Sequence, residues 1–200
     1  MSASRPVGLT RDLPAARVMR AQVDGQDMVV WRSTSGVLSA WDNRCPHRGM
    51  ALSHGFVRGE DLACLYHGWH FGCEGGGCRL IPSHPDLTPP ETIRTRAFAV
   101  AERGGVIWAS LGETAEPAAE TAEGFDNHRP LRSFEVHASE AAIEHAAGIN
   151  PFDAAALCLL YNPIQPDRTL VTVLIDARAD KACQQQAARW CEAIRREAEA

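Results

Sequence analysis

The sequence predicts a small all-β first domain over residues 1–112, followed by a small α+β domain over residues 131–200. Three observations carry that prediction. Up to residue 112, short apolar and β-branched runs are punctuated by Gly and Pro, and no helical periodicity emerges before residue 138. Residues 113–130 then break the pattern. They open on the acidic, low-complexity run Glu113-Thr-Ala-Glu-Pro-Ala-Ala-Glu-Thr-Ala-Glu-Gly124, which has no large apolar side chain to bury and reads as a linker. Beyond it, strand-like runs alternate with segments whose apolar residues recur at helical spacing.

In the first domain, Arg17–Val23 and Asp27–Arg32 flank Asp24-Gly25, a dipeptide suited to a two-residue hairpin turn. Val37–Asp42 follows the turn signal Ser33-Thr-Ser-Gly36. Arg94–Glu102 and Val106–Leu111 form a second hairpin about Arg103-Gly-Gly105. In the second domain, Arg132–Ala138 is a strand, and Ser139 caps a short helix that Gly148 ends. Arg168–Ala177 carries Leu170, Val171, Val173, Leu174 and Ile175 and is a strong strand. Asp180 caps a final helix whose Cys183, Ala187, Trp190, Cys191, Ile194 and Ala198 share one stripe. That stripe is expected to pack on the strands, with a partner-binding face as the alternative.

Composition narrows the function. With 200 residues, 45% of them hydrophobic, the chain can build a core without disulfide staples. The net charge is −5: residues 1–112 hold 12 Arg against 10 acids, and residues 113–200 hold 8 basic against 15 acidic side chains. Lys181 is the one lysine, and no basic footprint for nucleic acid is present. No apolar run nears the ~18 residues of a membrane span. The opening Met1-Ser-Ala-Ser-Arg-Pro6 lacks the apolar core of a signal peptide, so a cytoplasmic location is expected. Seven cysteines in such a chain point to metal ligation or free thiols over a disulfide framework.

The informative residues are Cys45-Pro-His47 and Cys64-Leu-Tyr-His67, 16 residues apart. Each loop offers one thiolate and one imidazole. A tetrahedral zinc site could use the same four donors, although zinc knuckles usually pair two cysteines in one loop. Two loops clasping a two-iron cluster, with both cysteines on one iron and both histidines on the other, give the His₂Cys₂ ligation of a Rieske [2Fe–2S] centre. A set of buried cysteines and hydrogen-bonded core histidines is the remaining alternative.

Cys45-Pro-His-Arg-Gly49 and Cys64-Leu-Tyr-His-Gly-Trp-His-Phe71 closely resemble the two cluster loops of Rieske non-haem iron oxygenases, which hydroxylate or demethylate small organic substrates. Gly77-Cys78-Arg-Leu-Ile-Pro82 and the strand Val106-Ile-Trp-Ala-Ser110 also fit that family, so the resemblance covers residues 10–112. It implies an antiparallel β-sandwich for the first domain and a [2Fe–2S] cluster held by Cys45, His47, Cys64 and His67. Respiratory Rieske proteins carry a further cysteine in each loop and hydroxyls near the cluster sulfurs. The matching positions here are Met50, Tyr66, Trp69 and Phe71, which implies a low reduction potential. Cys73 and Cys78 are read as free thiols, with a metal pair or a disulfide as the alternative, and Cys158, Cys183 and Cys191 as core positions; Arg48 and His70 are read as structural hydrogen bonders, with docking of a redox partner as the alternative.

In that family a larger catalytic domain follows, with a mononuclear iron on two histidines and a carboxylate. Arg132–Ala138 and Ile143-Glu-His-Ala-Ala-Gly148 resemble the entry to its motif, but the expected ligand positions fall near Gly148, Pro151 and Ala156, which cannot bind iron. Residues 159–177 look like a late strand of the same domain. Glu140, Glu144 and His145 are a further candidate iron set. The second domain is therefore expected to be a shortened, degenerate remnant of that catalytic domain. The favoured reading is an oxidoreductase component that carries single electrons from a flavin reductase or ferredoxin to an oxygenase, alone or as a homo- or hetero-oligomer. Two others stand beside it. One is a compact oxygenase, the other a non-catalytic redox-sensing or assembly subunit that uses Trp190 and Ile194 as contact surface.

Overall fold

The structure, a computed structural model, describes residues 4–112 and 127–200. Ten strands build its first part: β1 (Arg5–Leu9), β2 (Arg17–Val23), β3 (Gln26–Arg32), β4 (Leu38–Asp42), β5 (Phe56–Arg58), β6 (Asp61–Ala63), β7 (His70–Gly72), β8 (Cys78–Leu80), β9 (Ala97–Arg103) and β10 (Val106–Ser110). They form an antiparallel six-stranded sheet in the order β1-β10-β9-β4-β3-β2 and a four-stranded sheet β5-β6-β7-β8. The hairpin about Asp24-Gly25 forms as expected, with φ of 49° and 79° at the turn and Val23 opposite Gln26. The second hairpin also forms, but β9 starts at Ala97 because Arg94 bridges Gly77 and the Thr95 N–H donates to Gly76 O at 3.0 Å.

Alternating residues of three central strands feed different cores. On β3, Met28 and Val30 point into a cluster with Val7, Val23, Phe98 and Ile107, while Val29 and Trp31 point into a second cluster with Trp41, Cys45, Leu52, Leu62, Cys64 and Phe71. β4 divides in the same way, Ala40 to the first cluster and Trp41 to the second. A strand buried on both faces reads as a continuous apolar run, which is why Met28-Val-Val-Trp31 lacks polar alternation. The second core lies directly under Cys45 and Cys64.

The second part holds β11 (His128–Val136), α1 (Glu140–Ile149), β12 (Leu157–Gln165), β13 (Arg168–Asp176) and α2 (Lys181–Ala198), with the sheet order β11-β13-β12. Ser139 and Asp180 cap the two helices, their side chains accepting from the N–H of Ala142 and Cys183. β11 begins inside the span read as linker, because Arg129 and Pro130 already pair with Ile175 and Leu174; residues 113–126 of that span lie outside the described residues. α1 continues one residue past Gly148. The late strand read over 159–177 is a hairpin, turned at Pro166-Asp167 with Gln165 opposite Arg168. Ala187, Cys191 and Ile194 of α2 are buried against Val136, Val171 and Val173. Trp190 is anchored too, its Nε1 donating to Asn150 O at 2.6 Å, so the proposed contact surface of Trp190 and Ile194 is used up inside the fold.

The outer face of β10 is covered by this second part. Val106 and Trp108 pack with Leu9, Leu160 and Leu174, and Asn162 Nδ2 donates to Gln22 O at 2.9 Å. Within the first part, Arg32 ties β3 to β9 through two bonds to Glu102, at 2.6 and 3.1 Å, while also donating to Leu13 O and Gly36 O. Hydrogen bonding to Arg32 is the leading cause that holds the Glu102 carboxyl below its ordinary pKa of 4.5. A depressed carboxylate stabilises the fold above its unfolded pKa and loses that contribution as pH falls through the folded value. Glu102→Gln is therefore expected to cost about 1 kcal/mol at pH 7 and progressively less as pH falls below the ordinary carboxyl value, read by urea unfolding across that range.

Candidate metal centre

Two loops converge at one end of the four-stranded sheet. The first follows β4 and runs from Asn43 to the 3₁₀ turn Leu52–His54; the second, Cys64–Trp69, joins β6 to β7. They are locally alike. Cys45 N–H donates to Met50 O at 2.8 Å and Gly49 N–H returns to Cys45 O at 2.8 Å; Cys64 N–H donates to Trp69 O at 2.9 Å and Gly68 N–H to Cys64 O at 3.0 Å. Gly49 and Gly68 sit at the same turn position with φ of 75° and 68°, which a residue bearing Cβ rarely adopts. Asn43 pins the base of the first loop: its Nδ2 donates to Asp27 Oδ2 at 3.1 Å and its Oδ1 accepts from Ser53 N–H at 2.7 Å.

This backbone sorts the four donors by depth. Cys45 and Cys64 are each 2% exposed, whereas His67 is exposed and His47 half-buried, with the two imidazoles 4.7 Å apart between centroids. The sulfurs are neighbours. Burial foremost, with the charge and hydrogen bond of Cys64 behind it, pushes the Cys45 thiol up to about 11, against the pull of the His47 and Arg48 N–H groups. A buried thiol pushed up by its surroundings, yet already facing the N–H groups of His47 and Arg48, suits a cation that would take it as a thiolate beside the equally buried Cys64. Desolvation, then His67, then Arg48 lower the pKa of His47, favouring the neutral imidazole that binds metal. Among the described residues no three His, Cys, Asp or Glu side chains are grouped to hold a single ion. A two-by-two set of soft sulfur and imidazole donors fits a two-iron cluster.

The Rieske [2Fe-2S] domain family matches residues 4–95. This chain carries a Rieske [2Fe–2S] domain. Its cofactor is a Rieske-type [2Fe–2S] cluster. The domain is similar to those of proteins in oxygenase systems: it is 45% identical over 108 residues to the oxidoreductase NdmD of Pseudomonas putida, covering 54% of this chain and 18% of that protein. It is 42% identical over 108 residues to the 4beta-methylsterol monooxygenase of Methylococcus capsulatus, covering 52% of this chain and 28% of that one. The chain thus spans under a third of either curated relative. The fold of Pseudomonas putida NdmA with caffeine superposes with a TM-score of 0.76 at 17% identity, over 98% of this chain and 80% of that one, so the second part shares its fold as well.

Around the Rieske loops several sequence expectations meet their surroundings. All seven cysteines are free; Cys73 Sγ lies 3.9 Å from Glu60 Oε2 and Cys78 Sγ 3.8 Å from Leu80 O. His70 packs with its Nδ1 3.5 Å from Asp61 Oδ2, a structural role as expected. Arg48 departs from expectation: it is exposed and has no carboxylate partner among the described residues. Trp69 does more than lack a hydroxyl. Its ring stacks on His47 at 4.2 Å and 6°, fixing the imidazole plane. No sequence signal distinguished that stacking from an ordinary loop aromatic. Glu140 and Glu144 of α1 face Tyr161, whose phenol burial and these two charges push up to about 12; no iron site forms from them with His145 among the described residues.

With Met50, Tyr66, Trp69 and the buried Phe71 at the positions where respiratory Rieske proteins place cysteines and hydroxyls, these side chains would give a bound cluster fewer hydrogen bonds to its sulfurs. The expected potential lies in the lower half of the Rieske range of about −150 to +300 mV. Protein-film voltammetry measures it directly, and a value above about +100 mV contradicts this reading of the surroundings.

Proposed function

We propose that Cys45, His47, Cys64 and His67 hold the Rieske cluster and that the chain carries single electrons within an oxygenase-type redox system. In this reading residues 1–112 are the electron-transfer domain, and residues 131–200 are a catalytic-domain remnant that covers β10 and braces it. A flavin reductase or ferredoxin supplies the electron, an oxygenase accepts it, and the exchange takes place in the cytoplasm. The observation that supports this most is the sorting by depth: both sulfurs buried at 2%, His67 exposed, and the rings 4.7 Å apart. The bound cluster supplies a reversible one-electron couple.

The chain's own residues set the rest. The buried cysteines and the core of Trp31, Trp41, Leu52 and Phe71 keep water from the sulfur side. The histidines shorten the electron's path to a partner at the surface, and Trp69 holds His47 in plane. A compact oxygenase is the second reading, favoured by relatives that are themselves monooxygenases. Mixing the purified chain with a reductase and NADH separates the two. The electron-carrier reading expects rapid cluster reduction without oxygen consumption; substrate-dependent oxygen uptake, with a third iron per chain, replaces it with the oxygenase reading.

A further inference from the structure

The cleft beside the first Rieske loop is rimmed by four arginines against a single carboxylate. About 370 Å³ in volume, it is lined by Arg44, Arg48, Arg94 and Arg96, by the backbone of residues 45–49, and by one carboxylate, Asp42. Two of the four guanidiniums come from the loop itself and two from the segment leading into β9, 46 or more residues away in sequence, so the fold gathers them. All four are exposed, and none has a carboxylate partner among the described residues. Several arginines elsewhere are spent on ion pairs, among them Arg20 with Asp27, Arg32 with Glu102, Arg168 with Glu135 and Arg195 with Glu192. Arg94 bonds only the Glu91 carbonyl through Nε, and Arg96 lies 4.9 Å over the Phe98 ring, which leaves their outer N–H groups free. His47 stands on the cleft wall. The second loop holds Leu65 and Tyr66, 55% and 61% exposed, with Tyr66 against His67, whose ring lies 4.7 Å from that of His47.

We infer that this arginine-rimmed cleft and the Leu65–Tyr66 ridge form the docking face for the electron donor, a small acidic carrier protein of the ferredoxin type. Guanidiniums donate paired hydrogen bonds to carboxylates, and clustered cations around a redox port raise the encounter rate with an acidic surface. The exposed apolar ridge supplies the short-range contact that charge alone does not give. The chain is acidic overall, at −5, so the attraction depends on this local patch and not on net charge. The inference rests on the electron-carrier reading and names the donor's chemistry for it.

The test is stopped-flow reduction of the cluster by a reduced plant-type [2Fe–2S] ferredoxin, an acidic protein, across ionic strength. The variant is Arg94→Glu with Arg96→Glu, which leaves both Rieske loops untouched. A control, Arg189→Glu with Arg196→Glu on α2, makes the same change in net charge at a distance. The cleft variant is expected to slow reduction by about tenfold to a hundredfold at low salt and to flatten the salt dependence. The control keeps the wild-type rate, and dithionite reduces all three proteins alike. Equal slowing in the control, an unchanged rate in the cleft variant, or a wild-type dimer that the cleft variant dissociates overturns the docking face. In each of those cases intact dithionite reduction leaves the electron-carrier reading standing. Cluster-free protein overturns both.

Discussion

Alanine in place of Cys64 is expected to take the iron content from two per chain to near zero and to bleach the visible spectrum. The reason is the depth of the site. Cys64 is 2% exposed and pairs with Cys45, so its loss leaves one buried sulfur to hold an iron that needs two. Cys45→Ala is expected to behave alike, because the two loops share one hydrogen-bond pattern. Cluster binding is coupled to folding, so both variants should also melt earlier. Cys73→Ser and Cys78→Ser are the controls: their thiols point to Glu60 and the Leu80 carbonyl, and both proteins should keep full iron and colour. Iron analysis with the visible spectrum reads all four. Full iron in Cys64→Ala removes it from the ligand set.

Leu174→Ala is expected to cost about 2–5 kcal/mol, the usual range for emptying a buried leucine site. Leu174 is fully buried where β13 meets β10, against Leu9, Val106, Leu160 and Trp108. At about 2–4 °C per kcal/mol for a chain of this size, the melting temperature should fall by roughly 10 °C. The two parts are joined by this cluster and by the bonds of Asn162 and Arg168 to Gln22, so they should unfold together. Bleaching at the cluster and loss of far-ultraviolet dichroism are therefore expected in one transition, in wild type and variant. An unchanged bleaching midpoint in Leu174→Ala contradicts that coupling.

Local chemistry made some features legible in the sequence. Asp24-Gly25 announces its hairpin because few dipeptides tolerate two positive φ values, and the Cys-x-His and Cys-x₂-His loops announce a candidate ligand set because metal geometry restricts spacing. Ser139 and Asp180 marked their helices because the cap is a bond within three residues. What stayed hidden depends on distant partners. β1 is a strand because β10 offers it an edge, not because Arg5–Leu9 has a strong pattern of its own. The Pro166-Asp167 turn has no glycine to mark it, so the strand before it, Leu157–Gln165, merges in pattern with the strong strand that starts at Arg168. The Trp69 stack on His47 and the meeting of Arg94 and Arg96 with Arg44 and Arg48 require the fold to exist first. The alternation of β3 and β10 between cores was similarly unreadable until the covering layers were in place.

The central claim is a two-iron cluster held by two sulfurs within and two imidazoles at the surface. Pulsed electron paramagnetic resonance of the dithionite-reduced chain, with iron and acid-labile sulfide measured on the same sample, tests it most directly. The expected result is two irons and two sulfides per chain with hyperfine couplings from two histidine nitrogens, one set lost in His67→Ala. A colourless chain that takes up neither iron nor sulfide on anaerobic reconstitution, or one that holds a single zinc, contradicts it.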